Sequence, residues 1–195
     1  MTTSDTSTGT EFGAREGNDS GRVIGTCDGS AVTFRVLPVD PAVCEQLRAR
    51  DDAGATRRPF TDPEGGAPLR CCLRRSAAGE RIMLVSYAPL RRWAAGTGAA
   101  PGPYDECGPV FLHAGRCAGH PAVASYPATL HGPRRVLRAY SAEGRILGGT
   151  LVEMPVSRVG EVDLLLRGVL ADPAVELVHV RAVEYGCFLA EVRRG

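Results

Sequence analysis

Cys107, His113, Cys117 and His120 bring two thiols and two imidazoles within fourteen positions of one another. Thiolate and imidazole are the donors that zinc prefers, and Cys71, Cys72 or Cys187 would complete a four-coordinate set. Cys72, Cys107, His113 and Cys117 are therefore the candidate ligands, with zinc as the ion. Only His113 to Cys117 and Cys117 to His120 have the roughly two to four intervening residues usual in a structural zinc pair. The alternative is that Cys107 and Cys117 are buried thiols and the histidines are loop residues.

A thiol can also serve as a nucleophile where a cation lowers its pKa. Arg70 and Arg74 flank Cys72, and Arg181 lies near Cys187 in the hairpin register below. Cys187 is the preferred candidate, because its expected sheet face is polar. Unpaired cysteines are mostly inert core residues, which is the competing reading.

A third group is built on arginine. Arg138 and Tyr140 share one face of a strand, as His179 and Arg181 do on theirs, and Tyr104 lies in a loop that could close over them. Two guanidiniums with a phenol and an imidazole suit a carboxylate or phosphate held by bidentate bonds. In that reading Arg138, Arg181 and Tyr104 bind the anion, Tyr140 hydrogen-bonds, and His179 moves a proton under the orientation of Glu191. Cross-strand ion pairs on a solvated sheet are the alternative.

The elements that must position these residues follow from periodicity and punctuation. Val32–Val36 alternates as a strand, and Asp40-Pro41 caps and opens a helix to about Arg50 with Val43, Cys44 and Leu47 inward. Residues 51–68 read as a long loop. Ile82-Met-Leu-Val85 reads as a central strand covered on both faces. Pro89–Pro103, which holds the only tryptophan, Trp93, reads as a lid loop. Its Gly96-Thr-Gly98 is no phosphate loop, since no strand precedes it and Pro101 and Pro103 bar a following helix. Strands are expected at Pro109–His113, Val136–Tyr140 and Arg145–Val152, the last two joined by the turn Ser141–Gly144. Arg158–Ala171 is the clearest helix. The order predicts an α+β fold, a single domain over residues 31–195 with a mostly antiparallel sheet and two main helices. Residues 1–30, rich in Thr, Ser, Gly and Asp, read as a disordered N-terminal tail.

Val175–Val183 and Cys187–Val192 close the chain as a hairpin around Glu184-Tyr-Gly186. The expected register pairs Val183 with Cys187, Arg181 with Leu189 and His179 with Glu191. It places Phe188, Ala190 and Val192 on the face of Val178, Val180 and Ala182. His179 and Cys187 are then about 13 Å apart, too far for a nucleophile and its base.

Composition excludes several classes. The 195 residues are 44% hydrophobic and 23% charged, enough to fold around a core, and a net charge of +1 lacks the field of a generic nucleic-acid binder. All 23 basic residues are arginine, so no lysine can form a Schiff base. With abundant Ala and Gly, this usage points to GC-rich coding, as in a high-GC bacterium. Seven cysteines, an odd number, and no basic-then-apolar leader predict reduced thiols in a cytoplasm. No apolar run reaches the roughly 20 residues of a membrane span.

Gly66–Glu80 with its Cys71-Cys72 pair, Pro103–His113, Arg138-Ala-Tyr140, and His179-Val-Arg181 with Gly186-Cys-Phe188 together resemble the bacterial domain of unknown function 1203 family over about residues 32–194. The resemblance implies the extent of the folded region, and no activity or catalytic residue. From the residues, the leading expectation is a cytoplasmic enzyme or binding protein for a small anionic molecule, using proton-transfer chemistry such as isomerisation, cyclisation or hydrolysis. The alternative is a non-catalytic protein with a structural Cys/His zinc site and a protein partner.

Overall fold

The computed structural model describes residues 32–132, 134–153 and 159–195. The expected tail and Cys27 lie outside them. The fold is α+β, built on two five-stranded sheets.

The first sheet has β1 (Phe34–Leu37) at one edge, then β10 (Phe188–Arg194), β9 (Leu177–Ala182), β7 (Arg134–Tyr140) and β8 (Ile146–Glu153), all antiparallel. Helix α3 (Val159–Leu170) covers one face. Its Val162, Leu166, Val169 and Leu170 recur at helical spacing and pack with Val178, Val180, Ala190 and Val192. Each such side chain contributes roughly 1.5–3 kcal/mol on burial.

The second sheet runs β2 (Phe60–Asp62), β5 (Glu80–Tyr87), β6 (Gly108–His113), β3 (Pro68–Leu69), β4 (Arg74–Arg75). Among the described residues only β3 and β6 pair in parallel, at Leu69 and Phe111. Helix α1 (Pro41–Ala49) lays Cys44 and Leu47 on Ile82, Met83, Val85 and Leu112. It begins where expected, with the Asp40 carboxylate accepting from the Ala42 amide at 2.7 Å and Pro41 in the first turn.

Three expectations are corrected. Pro89–Pro103 is no lid: Pro89–Thr97 forms a third helix, α2, whose Leu90, Trp93 and Ala94 pack on Tyr140 and Leu177. Its start is capped from a distance, since the Asp52 carboxylate accepts from the Ala88 amide at 2.8 Å and holds Arg92 through two oxygens. Residues 51–68 contain β2 and the start of β3, too short to show periodicity. Leu84 is 42% exposed, so β5 is central in its sheet without being covered throughout.

The closing hairpin corrects a fourth. His179 does face Glu191, but a bulge pairs Arg181 with Phe188 rather than with Leu189. One residue of slip moves a side chain to the other face. Phe188 therefore joins His179, with ring centroids 5.1 Å apart, while Leu189 turns into the α3 side.

Candidate metal centre

The parallel β3–β6 pair builds the site. Leu69 lies opposite Phe111, so two residues further along each strand Cys71 comes beside His113, although 42 positions separate them in sequence. The turn after β3 then reverses sharply, with Leu73 at φ 54°, a left-handed conformation uncommon outside glycine. That reversal folds Cys72 back under the same imidazole. Four residues beyond His113, Cys117 enters from the loop after β6, and its sulfur accepts from the Gly119 amide at 3.4 Å.

The result is one sulfur each from Cys71, Cys72 and Cys117 and one nitrogen of His113, all within 4.8 Å of one another. Cys71 Sγ is 3.1 Å and Cys72 Sγ 3.9 Å from His113 Nδ1. In a tetrahedral zinc site with bonds of roughly 2.0–2.3 Å, neighbouring donors lie about 3.5–3.8 Å apart, so small side-chain shifts suffice. Cys71 and Cys72 are buried, and Cys117 and His113 are partly so.

The chemistry around the donors fits a metal. Nε2 of His113, the nitrogen facing away from the sulfurs, is 2.8 Å from Glu80 Oε1. A ring that gives Nδ1 to a metal carries its proton on Nε2, and a carboxylate there fixes the ring and raises its basicity. Glu80 is itself held down to a pKa of about 2, by hydrogen bonds from Arg74 and from the Ala77 amide that outweigh its burial, with His113 adding. Arg74 Nη2 also comes within 2.6 Å of Nε2. One lone pair or one proton serves that nitrogen, so with the proton donated to Glu80 the Arg74 guanidinium bonds to the two oxygens of the same carboxylate rather than to the ring. Arg48 Nε donates to the His113 carbonyl at 2.9 Å and fixes the backbone from α1.

The two adjacent thiols differ. A hydrogen bond from the Cys71 thiol, aided by the Arg74 amide and by the neighbouring His113 and Arg74 side chains, draws Cys72 down to about 6 against the effect of burial. The same shared proton, together with burial, holds Cys71 well above an ordinary thiol. Thiolate is the form that ligates. Cys44, by contrast, is 1% exposed and pushed up to about 11 by burial, the core residue its helical position predicts.

Of the ligands expected from sequence, Cys72, His113 and Cys117 converge. Cys107 does not: it is exposed and lines a separate cavity beside Glu106, and Cys71 takes the fourth place. His120 borders the depression over the cluster, its Nδ1 2.7 Å from the Pro121 carbonyl oxygen.

The arginine group is arranged differently from the ligand pocket expected. Arg138 and Arg181 do converge, but on Glu106, at 2.8 and 2.7 Å. The sequence offered no signal for Glu106, which comes from the loop before β6. His179 and Tyr140 are each 1% exposed, their rings 4.7 Å apart beneath α2. The cavity beside Glu106, about 330 Å³, is lined by Arg181 and Cys187 and by neither His179 nor Tyr140. The Cys187 thiol faces the Tyr185 carbonyl at 3.6 Å, and Tyr104 is half-exposed in a single turn of 3₁₀ helix.

Among the described residues no helix is long and apolar enough to cross a membrane. Neither the curated proteins nor the solved structures yield a match to this chain. A family described as protein of unknown function (DUF1203) does, over residues 66–194, a stretch that contains all four converging donors. The chain belongs to the DUF1203 family.

Proposed function

We propose that the protein is a non-catalytic, zinc-stabilised binding protein, in which Cys71, Cys72, His113 and Cys117 hold one zinc ion. The convergence of four donors of the right chemistry within 4.8 Å carries this reading. Four protein ligands fill a tetrahedral zinc, leaving no position for water or substrate, which is the pattern of a structural site. The ion would tie the turn after β3 to the loop after β6, two segments with little regular structure of their own. Glu80 would orient the imidazole from behind.

Cobalt(II) tests this directly, because three thiolates around a tetrahedral cobalt give strong sulfur-to-metal charge transfer and intense visible bands. Both should appear at one equivalent and be lost, with the colour displaced, on adding zinc. Cobalt spectra without thiolate charge transfer, or unchanged in Cys117→Ser, would contradict it.

A second reading rests on Glu106. Two guanidiniums on one carboxylate at 2.7 and 2.8 Å form an anion subsite in which Glu106 stands where a ligand carboxylate would bind. In this reading a small anion displaces Glu106, whose side chain is 45% exposed, and is held by Arg138 and Arg181. Thermal shifts by small carboxylates that grow in Glu106→Gln and vanish when Arg138 and Arg181 are both replaced by alanine would support it. No shift in any of the three proteins would remove it.

A further inference from the structure

Arginine is almost never fully buried without an acidic partner. Arg70 and Arg135 are 3% and 4% exposed. Arg70 donates from Nε to the Phe188 carbonyl at 2.8 Å and from Nη1 to the Pro68 carbonyl. Arg135 donates from Nη2 to the Leu130 carbonyl at 3.0 Å, and its buried Nε has no partner among the described residues. Arg75 reaches the Gly66 and His131 carbonyls. Carbonyl dipoles orient these groups without neutralising them.

All three guanidiniums line one cavity of about 640 Å³ between the two sheets. Its remaining wall is largely apolar, with Leu84 from β5, Phe111 from β6, and Leu130 and Leu189 from the first sheet's side. The single carboxylate in the lining is Glu184, at the rim, half-exposed and 3.5 Å from Arg135. Three positive charges thus face one negative charge. Burial lowers Arg70 to about 10, and the charges of Arg75 and Arg135 act in the same direction. At Gly132 a β-carbon would overlap the Arg135 guanidinium, so glycine is what lets that group lie where it does.

We infer that this cavity binds an organic anion, with a carboxylate or phosphate head on Arg70, Arg75 and Arg135 and an apolar body against Leu84 and Phe111. The volume is that of a small-molecule site, and planar guanidinium forks suit either head group. The inference is independent of the zinc reading, since no residue of the metal cluster lines this cavity. It is also distinct from the Arg138 and Arg181 pair, which Glu106 already neutralises.

Titration calorimetry with decanoate, decyl phosphate and neutral decanol tests it on the full chain. One equivalent of decanoate or decyl phosphate should bind at least tenfold more tightly than decanol, and whichever anion binds better identifies the head group. Arg75→Gln and Leu84→Glu alter exposed positions, so both variants should fold. Each should weaken the anion about tenfold or more, at unchanged circular dichroism. Decanol binding as tightly as the anions, no binding of either anion, or full affinity in both variants would overturn the inference.

Discussion

His113 turns Nδ1 to within 3.1 Å of the Cys71 sulfur, across a parallel strand pair that brings together residues 42 positions apart. The imidazole is held from both sides, by sulfur at one nitrogen and by the Glu80 carboxylate at the other. A histidine merely satisfied in a core needs no such set of thiols.

Glu80 should therefore tune the metal without touching it. Glu80→Gln keeps the shape and removes the charge, and should lower zinc affinity about 10–100-fold, read by competition with a chromophoric chelator. A purely structural role for the Arg74–Glu80 ion pair predicts a lower melting temperature in the metal-free protein with zinc affinity unchanged.

Asp51 should dominate one part of the acid limb. Its buried carboxylate accepts from the Ala53, Ala55 and Ser86 amides at 3.1, 2.8 and 3.1 Å and from Arg57 Nε at 2.7 Å. Burial pushes its pKa up, but the hydrogen bond from Arg57 and those from the backbone amides outweigh this and hold it far below the ordinary range. A carboxyl depressed on folding contributes stability that is complete above its unfolded value, about 3.9, and is lost as pH falls below it. Asp51→Ala leaves buried amides unpaired and should cost at least about 2 kcal/mol at neutral pH. Its stability should also fall less steeply than the wild type's on acidification, as followed by urea unfolding at several pH values.

His179 should stay neutral. Burial lowers its pKa most, the charges of Arg181 and Arg138 lower it further, and Glu191 opposes them. Burial pushes the Glu191 carboxyl up, but the hydrogen bond from His179 and then Arg193, bonded to it at 2.5 and 2.6 Å, hold it below its ordinary value, so a neutral imidazole can donate from Nε2 to a carboxylate. With its folded pKa depressed, the histidine's contribution to stability is complete above about 6.5 and lost as pH falls below that. The His179 ring resonances should accordingly remain those of neutral imidazole at pH values where an ordinary histidine has already begun to titrate. Titration near 6.5 would contradict this.

What was legible in the sequence follows from the length of each signal. Helices α1 and α3 carry caps or two full turns of apolar stripe, and β6, β7 and β8 run at least six residues, so all five could be read. Helix α2 hid its cap in Asp52, although Leu90, Trp93 and Ala94 show the right spacing. In the metal cluster, His113 and Cys117 were visible as a local pair, and Cys72 only as a donor able to complete the set. Preferring Cys71 over Cys107 required the parallel β3–β6 contact, and a two-residue strand leaves no periodic trace. The bulge at Leu189 was invisible for a related reason, since both registers place apolar side chains on each face of a sheet that α2 and α3 bury from both sides.

The central claim, one zinc on Cys71, Cys72, His113 and Cys117, is tested most directly by elemental analysis of tag-free protein combined with thiol titration in the native and the denatured, chelated states. The prediction is one equivalent of zinc, three thiols that react only after the metal is removed, and all seven reacting once the chain is unfolded. Protein purified in zinc-supplemented buffer that retains no metal, with the same thiol reactivity before and after chelation, would contradict it.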